Sequence, residues 1–241
     1  MERADVVLVK KGLAPSRQKA ISLIKEGMVF SNGNKVLKPS EKLNETVEIE
    51  VRGELLKYVS RGGFKLEGAI KTFDLNFEGK TILDMGSSTG GFTDCALQHG
   101  AKKVFAVDVG SNQLVDKLKN DQRVVSMENT DIRKLTKEIF DECDFIIGDL
   151  SFISIVKIVE YIKDFLTNQQ LVLLIKPQFE CGVEIAQRYK GTIRDYSLSK
   201  KICSETLEKI KRLGFAIKNV ADSPIKGGDG NTEFVALLEK K

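Results

Sequence analysis

The chain has 241 residues, of which 41% are hydrophobic and 30% charged, with a net charge of +4. That gives room for one medium domain, or a medium and a small one, of ordinary globular composition. No apolar run approaches the roughly 18 residues of a transmembrane helix, and Met1-Glu2-Arg3-Ala4-Asp5 is not the start of a signal peptide. The four cysteines (Cys95, Cys143, Cys181, Cys203) form no C-x-x-C pair, so they read as buried thiols of a reducing, cytoplasmic compartment. With His99 the sole histidine, most zinc sites and a histidine-based triad are disfavoured.

The placement of charge says more than its total. Residues 1–38 hold eight Lys/Arg and three Asp/Glu, a balance of +5, against 30 and 31 in the remainder. A compact basic segment on a near-neutral body suits a polyanion-binding module, although a solvated basic face is the plainer alternative.

In chain order, residues 3–11 carry Val6, Val7 and Val9 and stop at Gly12, which predicts a helix. Pro15-Ser16 opens a second, with Ala20, Ile21, Leu23 and Ile24 on one face, ending at Gly27. Met28 to Leu37 reads as a hairpin about Asn32-Gly33, and Thr46 to Val51 as a closing strand. Residues 53–61 form a connector, and a helix follows from about Phe64 to Phe73.

From Lys80 onward strands and helices alternate, which implies a parallel sheet flanked by helices. Thr81 to Leu83 is a short buried strand ended by Asp84, then a loop with Gly86, Gly90 and Gly91 leads into a helix. The D-x-G-x-x-x-G-G spacing is neither a dinucleotide fingerprint nor a triphosphate loop. An acid at the strand end with a loose glycine loop suits a ligand bearing an amino group and a sulfonium, such as S-adenosyl-L-methionine. An ordinary strand-to-helix turn is the bland reading. A second strand, Val104 to Val107, ends at Asp108, placed to accept two ribose hydroxyls. Val124-Val125 is a third strand, followed by Asp131-Ile132, where Asp131 is placed to face an adenine amino group. Asp144 to Gly148 ends in Asp149, and Leu171 to Ile175 in Lys176. A long helix from about Tyr196 to Leu213 precedes two last strands, Phe215 to Val220 and Phe234 to Leu238, expected to pair antiparallel. Asp84, Asp108, Asp149 and Lys176 all fall at strand ends, where ligands bind in open α/β sheets.

Two resemblances emerge from these residues. Arg3-Ala4-Asp5, Gly12 to Arg17, Ala20, Ile24, Gly27, Val29 and Asn32-Gly33 resemble the small RNA-binding domain known from ribosomal protein S-four. That implies contacts to structured RNA, with Arg3, Lys10, Lys11, Arg17, Lys19 and Lys25 as candidate RNA-binding residues. Val59 to Leu66, Asp84 to Asp94, Val107 to Gly110, Asp149 to Ser154, Ile175 to Glu180 and Gly230 to Phe234 resemble the TlyA (hemolysin A type) ribosomal-RNA methyltransferases, whose catalytic domain is FtsJ-like.

The resemblance implies a Rossmann-like class I methyltransferase fold, α/β with a seven-stranded mostly parallel sheet, over residues 62–241. A linker at 58–61 and a small α+β domain at 1–57 precede it. It implies methyl transfer from S-adenosyl-L-methionine to a ribose 2′-hydroxyl of cytidine in ribosomal RNA by a tetrad of Lys65, Asp149, Lys176 and Glu233. The candidate donor-binding set is Asp84, Gly86, Ser87, Ser88, Thr89, Gly90, Gly91, Phe92, Asp108, Val109, Asp131, Ile132 and Asp149. The partner is ribosomal RNA or a ribosomal subunit, with no metal. Two departures stand out: Leu56-Lys57-Tyr58-Val59 lacks the leading arginine and the tryptophan of an interdomain motif, and Ser87 stands where alanine is frequent.

The tetrad also makes chemical sense without the resemblance. A ribose hydroxyl must lose its proton as the methyl arrives. An ordinary lysine, with a pKa of about 10.4, is mostly protonated. A second ammonium nearby favours the neutral form of one of the pair, and the carboxylates orient both lysines and oppose that shift. Lys176 is read as base or hydroxyl-orienting group and Lys65 as its electrostatic partner. The rival readings are a non-catalytic RNA-binding protein and a membrane-lytic protein.

Overall fold

The computed structural model describes residues 1–25, 27–44, 46–51, 57–227 and 230–241, without the side chains of Ser22 and Lys25. Residues 53–56 of the expected connector, including Leu56, lie outside the described residues. By internal contacts the chain divides into two compact units, Met1–Leu55 and Leu56–Lys241.

The first unit runs β1 (Glu2–Arg3), α1 (Ala4–Lys10), α2 (Arg17–Lys25), β2 (Val29–Ser31), β3 (Asn34–Lys35), β4 (Lys42–Leu43) and β5 (Ile49–Val51). The Ser16 hydroxyl accepts from the Lys19 amide at 3.2 Å and so caps α2. β2 and β3 pair antiparallel about Asn32 and Gly33, both at positive φ (46° and 77°), as a two-residue hairpin turn requires. β5 lies on the other side of β2, and β1 pairs antiparallel with β4. Val7, Leu8, Ala20, Leu23, Ile24 and Val29 make one small core.

The second unit runs α3 (Gly62–Phe73), β6 (Thr81–Met85), α4 (Gly91–Gln98), β7 (Lys103–Val107), α5 (Asp116–Lys119), β8 (Val124–Met127), α6 (Lys137–Asp141), β9 (Phe145–Gly148), α7 (Ile155–Ile162), β10 (Gln170–Ile175), α8 (Pro177–Glu180), α9 (Gly182–Arg188), α10 (Tyr196–Arg212), β11 (Phe215–Asp222) and β12 (Phe234–Lys240). The seven strands form one sheet in the order β11-β12-β10-β9-β6-β7-β8. Only β12 pairs antiparallel with its two neighbours, so the sheet is mostly parallel.

Side chains alternate across the sheet, and each face has its own core. Leu83, Met85, Leu173, Phe234 and Ala236 pack on one side with Ile158, Val159 and Ile210. Ile82, Val172, Leu174, Val235 and Leu237 pack on the other with Leu66, Ala69, Phe92 and Ala96. In α3 the buried positions Leu66, Ala69, Ile70 and Phe73 recur at helical spacing, and Asp74 ends the helix in the left-handed region at φ 53°.

From β6 the chain builds outward one way through β7 and β8, then returns beside β6 as β9 and builds the other way. The switch point lies between β6 and β9, where such sheets leave a crevice at the strands' carboxyl ends. Because β12 runs antiparallel to β10, its amino end arrives at that same rim. Ile175 pairs with Phe234, which sets Lys176 and Glu233 side by side.

Candidate active site

The tetrad of the sequence converges at that rim. Lys65 comes from the first turn of α3, Asp149 follows β9, Lys176 follows β10, and Glu233 precedes β12. Lys65 Nζ stands 3.2 Å from Asp149 Oδ2 and 2.7 Å from Glu233 Oε2. Lys176 Nζ stands 2.5 Å from Asp149 Oδ1 and donates to Ser151 Oγ at 2.9 Å. Asp149 therefore joins the two lysines, one carboxylate oxygen to each.

Lys65, Lys176 and Glu233 are all buried. Burial is the largest single influence on Lys65 and works against its charge. The Asp149 and Glu233 carboxylates together outweigh it and hold the ammonium above the ordinary lysine value. Lys65 is thus a fixed cation and not the group that takes up a proton. An ammonium has three N–H donors; Lys176 spends two on Asp149 and Ser151, which leaves one direction open.

Beside the tetrad is a cavity of about 350 Å³ lined by Gly86, Ser88, Val107, Asp108, Val109, Gln113, Thr130, Ile132, Asp149, Leu150, Ser151 and Phe152. Six residues of the expected donor set are among them: Gly86, Ser88, Asp108, Val109, Ile132 and Asp149. Gly86 sits at φ +79°, and a Cβ there would come within 2.8 Å of Leu150. Its bare backbone is what lets the chain pass the cavity wall. Asp108 accepts from the Ser88 amide at 2.8 Å and the Gly110 amide at 2.7 Å. Four lone-pair positions on a carboxylate leave others for a ligand.

The other expected residues have different surroundings. Asp84 is fully buried, with Oδ2 accepting from the Thr93 hydroxyl at 2.6 Å and Oδ1 without a hydrogen-bond partner. Desolvation raises its carboxyl to about 7, with the Thr93 hydrogen bond opposing. Ser87 Oγ is likewise buried and without a hydrogen-bond partner. Thr89, Gly90, Gly91 and Phe92 are not among the cavity's lining residues. A Cβ on Gly90 (φ +99°) would lie 2.2 Å from Leu118, so this glycine lets α4 start against α5. Asp131 also lies outside the lining. Its carboxylate accepts from the Arg133 amide and Nε, both at 2.9 Å.

Sequence reasoning did not find Ser151, Gln113, Thr130 or Phe152. Phe152 is 92% exposed, has φ +64° and leans on Phe179 with ring centroids 5.2 Å apart. Ser151 and Phe152 were present in the Asp149–Ser154 stretch, but periodicity carries no signal for a strand-end loop.

In the first unit, Arg3 and Arg17 both fork onto Asp5, at 2.9 Å each, and Asp5 is fully buried. Lys10 pairs with Glu2 at 2.5 Å, Lys11 is exposed and Lys19 half-buried. The Lys25 side chain lies outside the described residues. Among the described residues no His/Cys/Asp/Glu group has the makings of a metal site, and no helix is long and apolar enough to cross a membrane.

A mostly parallel seven-stranded sheet with a glycine loop at its switch point and charged residues around a crevice is the fold of class I methyltransferases. Residues 58–240 match the FtsJ-like methyltransferase family and residues 2–49 the S4 domain. The chain belongs to the FtsJ-like methyltransferase family and begins with an S4 domain. It is 47% identical to Hemolysin A of Brachyspira hyodysenteriae, over 97% of this chain and 98% of that one. It is 38% identical to the 16S/23S rRNA (cytidine-2'-O)-methyltransferase TlyA of Mycobacterium tuberculosis, over 98% of this chain and 89% of that one. A solved structure from Streptococcus thermophilus matches it with a TM-score of 0.76 at 44% identity, covering all of this chain and 88% of that one.

Proposed function

We propose that the protein methylates a ribose 2′-hydroxyl, that of a cytidine, in ribosomal RNA of one or both ribosomal subunits, with S-adenosyl-L-methionine as donor. The observation that carries this reading is the Asp149 carboxylate shared between two buried lysines at the edge of the cavity. The TlyA relative named above supports the choice of ribosomal RNA and of cytidine. A ribosomal substrate places the protein in the cytoplasm.

The residues present fit the donor. Asp108 offers acceptor positions to ribose hydroxyls and Gly86 gives close backbone approach; Asp84, fully buried and outside the cavity lining, keeps one unpartnered oxygen as an acceptor for an amino group. Held there, S-adenosyl-L-methionine supplies a methyl group already activated on sulfur.

Lys176 takes the hydroxyl proton through its one open direction. Asp149 and Ser151 fix its Nζ and stabilise the ammonium that results. Lys65 stays cationic between Asp149 and Glu233 and holds the Asp149 carboxylate in place. Positioning of the hydroxyl against the methyl group supplies much of the remaining rate. Arg3 and Arg17, steadied by Asp5, present the first unit's guanidiniums to RNA phosphates, contacts that read shape more than sequence.

Incubating the protein with labelled donor and unmethylated ribosomal subunits, then identifying the modified nucleoside by mass, tests the reading. A 2′-O-methylated nucleoside is expected. A second reading, RNA binding without catalysis, predicts donor or RNA binding and no transfer.

A further inference from the structure

A target ribose delivered to the tetrad belongs to a longer RNA strand, whose flanking nucleotides need other groups to hold them. The sequence assigns phosphate contacts only to the first unit. Within the second unit, a set of cations borders the tetrad.

Asn231, 4% exposed, accepts from the Ile193 amide at 2.8 Å and donates to the Gly191 carbonyl at 3.3 Å. Its own carbonyl accepts from the Gly227 amide at 3.0 Å. Two residues further on, Glu233 meets Lys65. The loop after α9 and the loop after β11 are therefore fastened to the stretch that delivers a member of the tetrad. Arg188 ends α9, and these loops carry Lys190, Arg194 and Lys226. Arg61 stands across the site: it adjoins Gly62, where a Cβ would lie 3.8 Å from Asp149 Oδ2.

All five cations are exposed. Among the described residues none of the five has an acidic partner, whereas Lys80, Lys103, Arg123 and Lys137 of the same unit sit in ion pairs. The stretch from Arg188 to Arg194 contains three cations and no acid. Among the described residues the acids flanking these loops are committed or few; Asp229, in the loop of Lys226, lies outside the described residues. Asp195 caps α10 through the Leu198 amide and Asp222 accepts from Tyr196, leaving Glu184 as an exposed acid on α9. Unpaired surface cations keep their full charge for a polyanion, and phosphate binding releases counterions in proportion to the contacts made.

Resting on the ribose-methylation reading, we propose that Arg61, Arg188, Lys190, Arg194 and Lys226 form a second RNA-docking rim. On this proposal they grip backbone phosphates on either side of the target nucleotide and so deliver its ribose to Lys176. The rim positions the substrate and takes no part in the chemical step.

The test uses the full chain carrying K190E/R194E, the milder K190A/R194A, and a pair of single reversals, K190E and K102E. Lys102 is exposed at the amino end of β7, the opposite rim of the sheet, so K102E makes the same change in net charge elsewhere. Methyl transfer to unmethylated ribosomal subunits, RNA binding across a range of salt, and donor binding by calorimetry are measured. For K190E/R194E the KM for RNA should rise by at least about tenfold and the salt slope should fall by about two, as expected for two lost phosphate contacts. Turnover at saturating RNA and donor affinity should stay at the parent values. Unchanged KM and salt slope would overturn the rim, as would equal effects of K190E and K102E. If the parent transfers no methyl to any ribosomal RNA, the ribose-methylation reading fails. The RNA-binding salt slopes of the same variants then still decide whether the rim holds nucleic acid.

Discussion

Glu233 Oε2 lies 2.7 Å from Lys65 Nζ, and only 3% of Glu233 and 8% of Lys65 are exposed. Removing one partner of such a pair leaves a buried charge short of compensation, at a cost of about 3–5 kcal/mol. Glu233→Ala should therefore lower stability towards denaturant by an amount of that order and abolish methyl transfer. Glu233→Gln, which keeps the shape, should fold better but leave Lys65 leaning on Asp149 alone. Transfer by that variant should fall at least about a hundredfold, as for a misplaced general base. Chemical unfolding beside a transfer assay checks both, and full activity in Glu233→Gln would count against the arrangement.

Lys176 is assigned the proton-accepting role because its Nζ has a direction left after Asp149 and Ser151. Lys176→Ala should remove transfer while donor affinity stays near the parent value, since Lys176 is not a lining residue of the donor cavity. Lys176→Arg keeps a cation and the contact to Asp149 but cannot give up its proton, so it too should be inactive. An active arginine variant would reassign Lys176 to orienting the hydroxyl.

Asp84 gives a pH dependence whose sign can be worked out. Burial lifts its carboxyl to about 7 in the fold, against about 4 in an unfolded chain. The fold therefore bears the cost of a buried charge above pH 7. It loses that cost as pH drops from about 7 towards 4. Asp84→Asn should be more stable than the parent above pH 7, with the advantage fading as pH falls. If Asp84 receives an amino group of the donor, donor affinity should weaken in the parent as pH falls through about 7. In Asp84→Asn the affinity should be lower and flat with pH. Melting curves and calorimetry at several pH values read both effects; a parent affinity independent of pH would remove Asp84 from donor binding.

Asp108 binds two loop amides and keeps capacity for ribose hydroxyls. Asp108→Ala should weaken donor binding by at least about tenfold, the loss of one or more charge-assisted hydrogen bonds. An unchanged dissociation constant by calorimetry would show that the carboxylate serves only the loop.

The sheet was legible because most of its strands announce themselves by an apolar run closed by a charged residue. Leu171 to Ile175 before Lys176 and Phe145 to Gly148 before Asp149 are the clearest cases. The tetrad was legible only through the resemblance, since nothing local ties Lys65 to Glu233; the antiparallel register of β12 on β10 brings the latter to the site. The pairing of β1 with β4 covers two residues on each strand, too short for any alternation to register. Helix α7 was not among the expected elements. What starts the helix is remote in sequence: Glu180 accepts from the Ser154 hydroxyl at 2.6 Å and the Ile155 amide at 2.7 Å. Gly90 and Asp131 were expected from the sequence as donor contacts; what it could not show is that a Cβ on Gly90 would meet Leu118 and that Asp131 accepts from Arg133.

The most direct test of the central claim is methyl transfer from labelled S-adenosyl-L-methionine to separate, unmethylated small and large ribosomal subunits, with the product nucleoside identified by mass. The account predicts 2′-O-methylcytidine from at least one subunit, and none with Lys176→Ala. Label on a base instead of a ribose, or no label on either subunit from a protein that binds the donor, would contradict it.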